Sequence, residues 1–365
     1  MGSFQGLGLH MKPVLRLSAA EQVAAYLRGE LERGRWLGSM PGVDWLAAEL
    51  GFNRKTMEAA LRVLEKDGWL VGRGAGRKRG IVPRGGASAR PMRIALLSYD
   101  PVPLTEGYTV ELQHLLMEAG HTVFFAEKCL SQLGMNLGRI ARLVRKTKAD
   151  AWVINAGSRE VLEWFGTQPV AAFALFGRRE GLPIASTGPH KPPAMVAATR
   201  RLLELGHRSI VLLARRERRL PQPGTSEQAF LDELTAHGIP AGAFNLPEWE
   251  ETTDGFHECL QELFRVTPPT ALIVDDAPLF TAAQQFVARR HLLVPEQVSL
   301  ICTDADPAFA WCKPSIAHIR WESGPVIRRI VRWAARVSRG RPDLRQTLTK
   351  AEFVAGGTIG PVWKG

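Results

Sequence analysis

No stretch of this chain holds the run of about 18 apolar residues that a membrane-crossing helix needs, so no membrane span is expected. Cysteine is scarce. The four (Cys129, Cys259, Cys302 and Cys312) form no CxxC pair and stand beside no histidine at ligand spacing. That argues against a metal site or a disulfide framework and for small core residues in a reducing compartment. The start, Met1 to His10, is glycine-rich and lacks an apolar segment with a small-residue cleavage site, so export is not expected and the cytoplasm is. The sequence also has no GxSxG elbow, no HExxH pair, no glycine loop ending in GK[ST], and no GxGxxG opening a βαβ unit. Nine histidines are scattered, and His207, in LGHRS, reads as a helix-end or core group rather than a base. We therefore expect no catalytic residue, no metal and no cofactor.

What is present is an ordinary globular composition, 45% hydrophobic and 23% charged, in 365 residues. That length favours two or three folded units over one core. The net charge of +11 is unevenly spread: residues 1–92 carry 15 Lys and Arg against 8 Asp and Glu, a net of +7, and the remainder carries 32 against 28, a net of +4. Such asymmetry points to a polyanionic partner at the N-terminal end.

Met1–Pro13 reads as a disordered lead. Ser18 can cap a helix that aligns Val23, Leu27 and Leu31. Asp44–Leu50 predicts a second helix, with Leu46, Ala47 and Leu50 inward and Gly51 as its stop. Asn53 caps a third, Arg54–Asp67, whose Met57, Ala60, Leu61 and Leu64 share a face. Trp69–Val71 and Gly80–Val82 predict a hairpin whose tip, Gly72–Arg79, is rich in glycine and arginine. Three helices followed by a hairpin, with the short Gly51–Asn53 turn between helices two and three, make a winged helix-turn-helix over residues 14–82.

Residues 83–92, PRGGASARPM, read as a linker. From residue 93 to 360 apolar strands alternate with amphipathic helices. The expected strands are Ile94–Tyr99, Thr122–Ala126, Ala151–Asn155, Val170–Leu175, Ile210–Ala214, Ala271–Val274 and Val298–Thr303. The expected helices include Val110–Ala119, Leu137–Lys146, Pro193–Leu205, Gln228–Ala236, Leu279–Arg289 and Val326–Val337. The fold class is α/β, with parallel sheets doubly wound in two lobes and a ligand cleft beyond the strands' carboxyl ends.

The segment MPGVDWLAAELGFNRKTMEAALRVLEKDGWLVGRGAGRKRGIV (Met40–Val82) resembles the winged helix of the gluconate-repressor (GntR) family. Three further segments, ATRRLLELGHRSIVLLA, PPTALIVDD and VPEQVSLICTDADPAFA, resemble the sensor core of lactose-repressor (LacI) family regulators, itself similar to periplasmic sugar-binding proteins. Together they resemble sugar-responsive regulators of the arabinose or xylose kind. The resemblance implies a double-stranded DNA operator, a small-molecule effector such as a sugar, and a homodimer joined through the sensor. Three positions depart from the pattern it implies. Asp44 stands where an Arg touching phosphate is usual, His190 where an Asp is usual, and Ser226 where an Arg opens a pocket helix.

For DNA, the candidate residues are Asn53, Arg54, Lys55 and Thr56 at the start of the recognition helix, where side chains meet base edges. Two cations beside a helix N-terminus are unfavourable without an anionic partner, although a solvated helix start is the plainer reading. The wing adds Arg73, Arg77, Lys78 and Arg79, with no acid from Arg73 through Arg84. These suit phosphate or a narrow minor groove, against the alternatives of a mobile basic loop or a nucleotide-phosphate loop. For the effector, the candidates at strand ends are Asp100, Tyr108, Ser158, Arg178, Asp276, Asp304 and Trp311. Carboxylates and Arg can bond hydroxyls, and a Trp face can pack on a sugar ring. Equally, Asp304 can cap a helix, Arg178 can bridge lobes and Trp311 can belong to the core. Three functions stay open: a ligand-responsive DNA-binding regulator, a DNA-binding dimer without an effector, and an enzyme on the α/β domain.

Overall fold

In the computed structural model the chain divides into two compact units, Met1–Ser88 and Ala89–Gly365. The structure describes residues 18–32, 35–36, 38–74, 77–82, 90–101 and 107–362. The lead Met1–Pro13 and residues 83–89 of the expected linker lie outside the described residues.

In the first unit Ser18 opens α1 (Ala19–Glu32) with a capping box. Its hydroxyl accepts from the Glu21 amide at 3.3 Å, and its own amide donates to the Glu21 carboxylate at 2.7 Å. Helix α2 (Val43–Leu50) ends at Gly51, whose φ of 69° reverses the chain at no steric cost. Asn53 then caps α3 (Arg54–Lys66), its Oδ1 accepting from the Thr56 amide at 2.8 Å. Leu27 of α1, Leu46 of α2 and Met57, Ala60, Leu61 and Leu64 of α3 are fully buried against one another. Ala47 and Leu50, expected inward, are only half-buried, because α2 is short and meets the core mainly through Leu46. Strands β1 (Leu70–Val71) and β2 (Gly80–Ile81) pair antiparallel as the wing. Residues 38–40 run alongside β2, with Met40 N donating to Arg79 O at 2.8 Å and Ile81 N to Gly38 O at 3.0 Å.

The second unit runs as β3 (Arg93–Leu97), α4 (Gly107–Glu118), β4 (Thr122–Phe125), α5 (Leu137–Lys146), β5 (Ala151–Asn155), α6 (Arg159–Thr167), β6 (Ala171–Leu175) and β7 (Ala185–His190). It continues as α7 (Pro192–Glu204), β8 (Ile210–Leu213), α8 (Arg216–Arg219), α9 (Thr225–Ala236), α10 (Thr253–Val266), β9 (Ala271–Val274) and α11 (Ala277–Arg289). After β10 (Ser299–Cys302) come a 3₁₀ turn at Pro307–Trp311, β11 (Ala317–Trp321), α12 (Ser323–Val337) and β12 (Gln346–Val354). The strand order is β4-β3-β5-β6-β7-β12-β11-β10-β9-β8. All neighbours pair parallel except β11 and β12.

Two lobes are thus present but share one strand. Gln346–Lys350 of β12 pair with β7, and Ala351–Val354 of the same strand pair with β11. Alternation along the strands of the second lobe shows why both faces are covered. Val211, Leu213, Leu272, Val274 and Leu300 face α10 and α11 residues such as Phe256 and Val287. Their neighbours Ile210, Leu212, Ala271, Ile273 and Ile301 face Leu202 of α7 and Phe230 of α9. Strands buried on both faces read as continuous apolar runs, and these were legible as such.

The sequence reading did not anticipate β7, β11, β12, α6, α8 or α10. In β7, ASTGPH, small residues, Gly and Pro replace the branched residues that mark a strand. Along Gln346–Ala351 of β12 exposed and half-buried side chains alternate without a matching polar and apolar alternation, so the sequence carries no strand period there. Among the described residues no helix is long and apolar enough to cross a membrane.

Candidate functional site

Two separate places draw the expected residues together. In the first unit, Arg54, Lys55, Arg73, Arg77 and Lys78 are exposed. Arg54 lies 3.1 Å from Asp44, with 69% of its side chain in solvent, so the departure noted at Asp44 becomes a surface pair between the starts of α2 and α3. The capping bond occupies the Asn53 oxygen and leaves its amide protons outward, while Thr56 is half-buried. Arg79 is turned inward: its Nε bonds Glu65 of α3 at 2.8 Å, tying the wing to the recognition helix. It is thereby placed as a structural cation rather than as part of the outward-facing set.

In the second unit a cleft of about 430 Å³ opens where the carboxyl ends of the strands of both lobes converge. Five of the seven candidates line it: Asp100, Tyr108, Arg178, Asp276 and Asp304. Ser158 is not among them; it is buried, and its hydroxyl caps α6 by accepting from the Val161 amide at 3.3 Å. Trp311, expected to face a ring, lies outside the cleft and is 90% exposed, because the 3₁₀ turn that carries it packs inward through Phe309. The tryptophan beside the cleft is Trp321. Its indole meets Tyr108 and Phe176 edge-on at 5.9 and 5.3 Å, and its Nε1 donates to Asp304 at 2.7 Å.

Several charged groups of the cleft neutralise one another. Arg215 binds Asp276 at 2.7 Å and Glu251 at 2.9 Å and reaches Asp100 at 3.4 Å. Arg218 pairs with Asp275 at 2.9 Å and lies 3.8 Å from Glu227, and Lys191 lies 3.4 Å from Asp304. Some of these bonds cross between lobes. Arg178, from the first lobe, donates to the backbone carbonyls of Glu217 at 2.6 Å, Arg218 at 2.9 Å and Gln222. The Tyr99 hydroxyl donates to Glu251 at 2.7 Å.

Burial and charge shift the proton affinities accordingly. Burial works to lower Arg215, but Asp276 and Glu251 overcome it and hold the guanidinium above its usual range. Burial and the neighbouring Asp275 raise the Asp276 carboxyl, against the pull of Arg215. Tyr99 is pushed up by burial and then by the Glu251 carboxylate.

Backbone conformation is unusual here too. Ala156 and Phe176, both lining the cleft, have φ of 56° and 57°, a region that residues with a Cβ enter at a cost. Gly177, with φ of 72°, passes so close to Gly157 that a Cβ would lie 2.5 Å from its carbonyl oxygen, so only glycine fits.

Residues 19–77 match the model of the gntR family of bacterial regulatory proteins. That segment is a gntR-type domain of a bacterial regulatory protein. Residues 199–359 of the regulator match a periplasmic binding protein-like domain. No curated protein matches the regulator's sequence. Among solved structures, it is similar to a LacI family transcriptional regulator from Enterococcus faecium with bound ribose, at 16% identity over 74% of this chain and 99% of that one, TM-score 0.61. A LacI-type transcription regulator from Bifidobacterium animalis subsp. lactis is similar at 19% identity over 73% and 99%, TM-score 0.60. The lac repressor dimer bound to operator and the anti-inducer ONPF is similar at 16% identity over 74% and 95%, TM-score 0.58. The regulator therefore joins a gntR-type DNA-binding domain to a domain of the LacI and periplasmic-binding-protein fold.

Several cleft residues of the regulator escaped the sequence reading: Asn155, Phe176, Arg179, Arg215, Arg218 and Asp275. A usable signal existed for two of them. ARRERR follows β8 directly, and so dense a charge run at a strand's carboxyl end is where such folds bind ligands. The two positions noted as departures, His190 and Ser226, also line the cleft.

Proposed function

We propose that this regulator binds a double-stranded operator as a homodimer and that its cleft takes a small polar effector, a sugar or related metabolite. It works in the cytoplasm by binding, without turnover. The observation that carries the reading is the cleft itself, about 430 Å³ at the convergent strand ends and lined by strained, aromatic and charged residues. The bound ribose of the Enterococcus faecium structure and the operator-bound lac repressor dimer support a sugar, an operator and a dimer. In this scheme the effector competes for the groups that hold the lobes together, Arg178 and Arg215 among them. Their relative position changes, and with it the spacing of two winged helices on DNA.

The effector-free dimer is the second reading, favoured by cleft charges that are already paired within the protein. The test is fluorescence anisotropy on the chain's own upstream DNA across a salt series, beside Arg54→Ala, followed by the same titration with a sugar panel. Specific binding with a steep salt slope, lost in the variant and altered by one sugar, is the expected result. Equal, weak binding of both proteins to any duplex would overturn DNA recognition. Specific binding that no member of the panel alters would favour the effector-free dimer.

A further inference from the structure

Among the described residues, Arg179 is the buried arginine of the cleft that has no ion-pair partner. It is 9% exposed, and its Nη1 reaches one partner, the Gly177 carbonyl oxygen, at 3.4 Å. Among the described residues no carboxylate lies within ion-pair distance of it, the adjoining Glu180 included, whereas Arg215, Arg218 and Lys191 each have one. Burial lowers the proton affinity of Arg179, the field of Glu180 offsets part of this, and Arg218 adds like charge nearby. An arginine does not escape such a position by losing its proton, so it is stabilised only by an anion. The guanidinium is also held in place. It lies over Gly188 of β7, where a Cβ would come within 2.9 Å of Nη2 and 3.1 Å of the Phe176 ring.

A second group is left over on the neighbouring strand end. Asn155, paired with Leu175 across β5 and β6, lines the cleft and donates from Nδ2 to the Tyr108 hydroxyl at 3.2 Å, while its buried Oδ1 has no partner. Turning the amide over exchanges the two atoms and still leaves one unmatched. A buried polar atom and a buried charge, both lining one cleft and both unmet by the protein, define what a ligand there must supply.

We propose that the cleft takes a hydroxylated organic anion, its carboxylate or phosphate seated on Arg179 and a hydroxyl on Asn155. This rests on the reading of the cleft as the effector site and names the chemical class of the effector. Three of the cleft's carboxylates, Asp275, Asp276 and Asp304, do not oppose it, because they are matched by Arg218, Arg215 and Lys191.

The experiment is thermal unfolding of the full chain at constant ionic strength with glucose, gluconate and glucose 6-phosphate, which share a skeleton and differ in charge. The wild type, Arg179→Met and Gly188→Ala are compared. Gluconate or glucose 6-phosphate raises Tm more than glucose does, and which of the two is effective tells carboxylate from phosphate. Arg179→Met weakens that ligand by about 10-fold or more while its ligand-free Tm is equal to or above wild type, since an unmatched buried charge has gone. Gly188→Ala keeps the charge but displaces it and weakens the same ligand. A glucose shift as large as the anions', unchanged in Arg179→Met, overturns the anion and leaves the effector site standing. A panel in which no compound moves Tm overturns both.

Discussion

Arg54 and Arg215 both stand at a helix start, Arg54 as the first residue of α3 and Arg215 just ahead of α8. Their surroundings are opposite. Arg54 keeps 69% of its side chain in solvent and has one exposed carboxylate, Asp44, whereas Arg215 keeps 19% and is shared by Asp276, Glu251 and Asp100. A helix N-terminus repels both cations. Only Arg215 has its repulsion answered from within the buried protein. The same residue type is thus an exposed charge in one unit, which we propose is held for an outside polyanion, and an internal counter-ion in the other.

The sharpest way to break this comparison is to delete each charge. Arg215→Met strands carboxylates that share it. We expect a loss of about 3 kcal/mol in denaturant unfolding, the low end for breaking a buried pair because the group keeps some solvent. Arg54→Ala changes stability by less than about 0.5 kcal/mol but weakens DNA binding by about 1–3 kcal/mol, read by anisotropy. A stability loss of several kcal/mol for Arg54→Ala, or none for Arg215→Met, would end the distinction.

A smaller effect tests the buried histidines of the second unit. His207 donates from Nε2 to the Gly360 carbonyl oxygen and bonds the Thr270 hydroxyl through Nδ1, both at 2.9 Å, and His121 accepts at Nδ1 from the Met92 amide at 3.3 Å. Burial pulls both below the ordinary 6.5. The unfolded rings therefore take up protons first as the pH falls. Their contribution is complete above pH 6.5 and is lost below it, by about 1 kcal/mol per pH unit for each ring until the lowered folded value is reached. Unfolding free energies at pH 7 and 5.5 check this, and His207→Gln should flatten part of the slope.

The smallest expected effect sharpens the comparison from the DNA side. Asp44→Ala removes the exposed partner of Arg54 and a charge like that of phosphate. Stability changes by a few tenths of a kcal/mol at about the level of any surface pair, while DNA affinity rises at low salt and the gain fades as salt increases. An affinity that falls would mean that Asp44 orients Arg54 for the groove.

The winged helix was legible because its signals are local. Gly51 at positive φ, Asn53 as cap and four buried residues at helical spacing in α3 all lie within one short stretch of chain. The apolar strands β5, β8, β9 and β10 were legible for the same reason. The cleft was only half legible. Strand ends pointed to Asp276 and Asp304, but choosing Trp321 over Trp311 required knowing which tryptophan ends a strand of the sheet. β11 gave no such warning, since AHIRW is short and mixed in polarity.

From the sequence alone came the types of the strongly periodic elements, the division into a basic DNA-binding unit and an α/β unit, and the family resemblance of each. Periodicity, caps and charge content carry those, and each acts over a few neighbouring residues. The tertiary structure decided which charges are matched. Residues far apart in the chain, such as Asp100 and Arg215, meet because the order β4-β3-β5-β6-β7-β12-β11-β10-β9-β8 brings their strand ends to one cleft. Whether a cation there finds a carboxylate at ion-pair distance, as Arg215 does, or none among the described residues, as with Arg179, depends on distances of a few ångströms that no local pattern encodes.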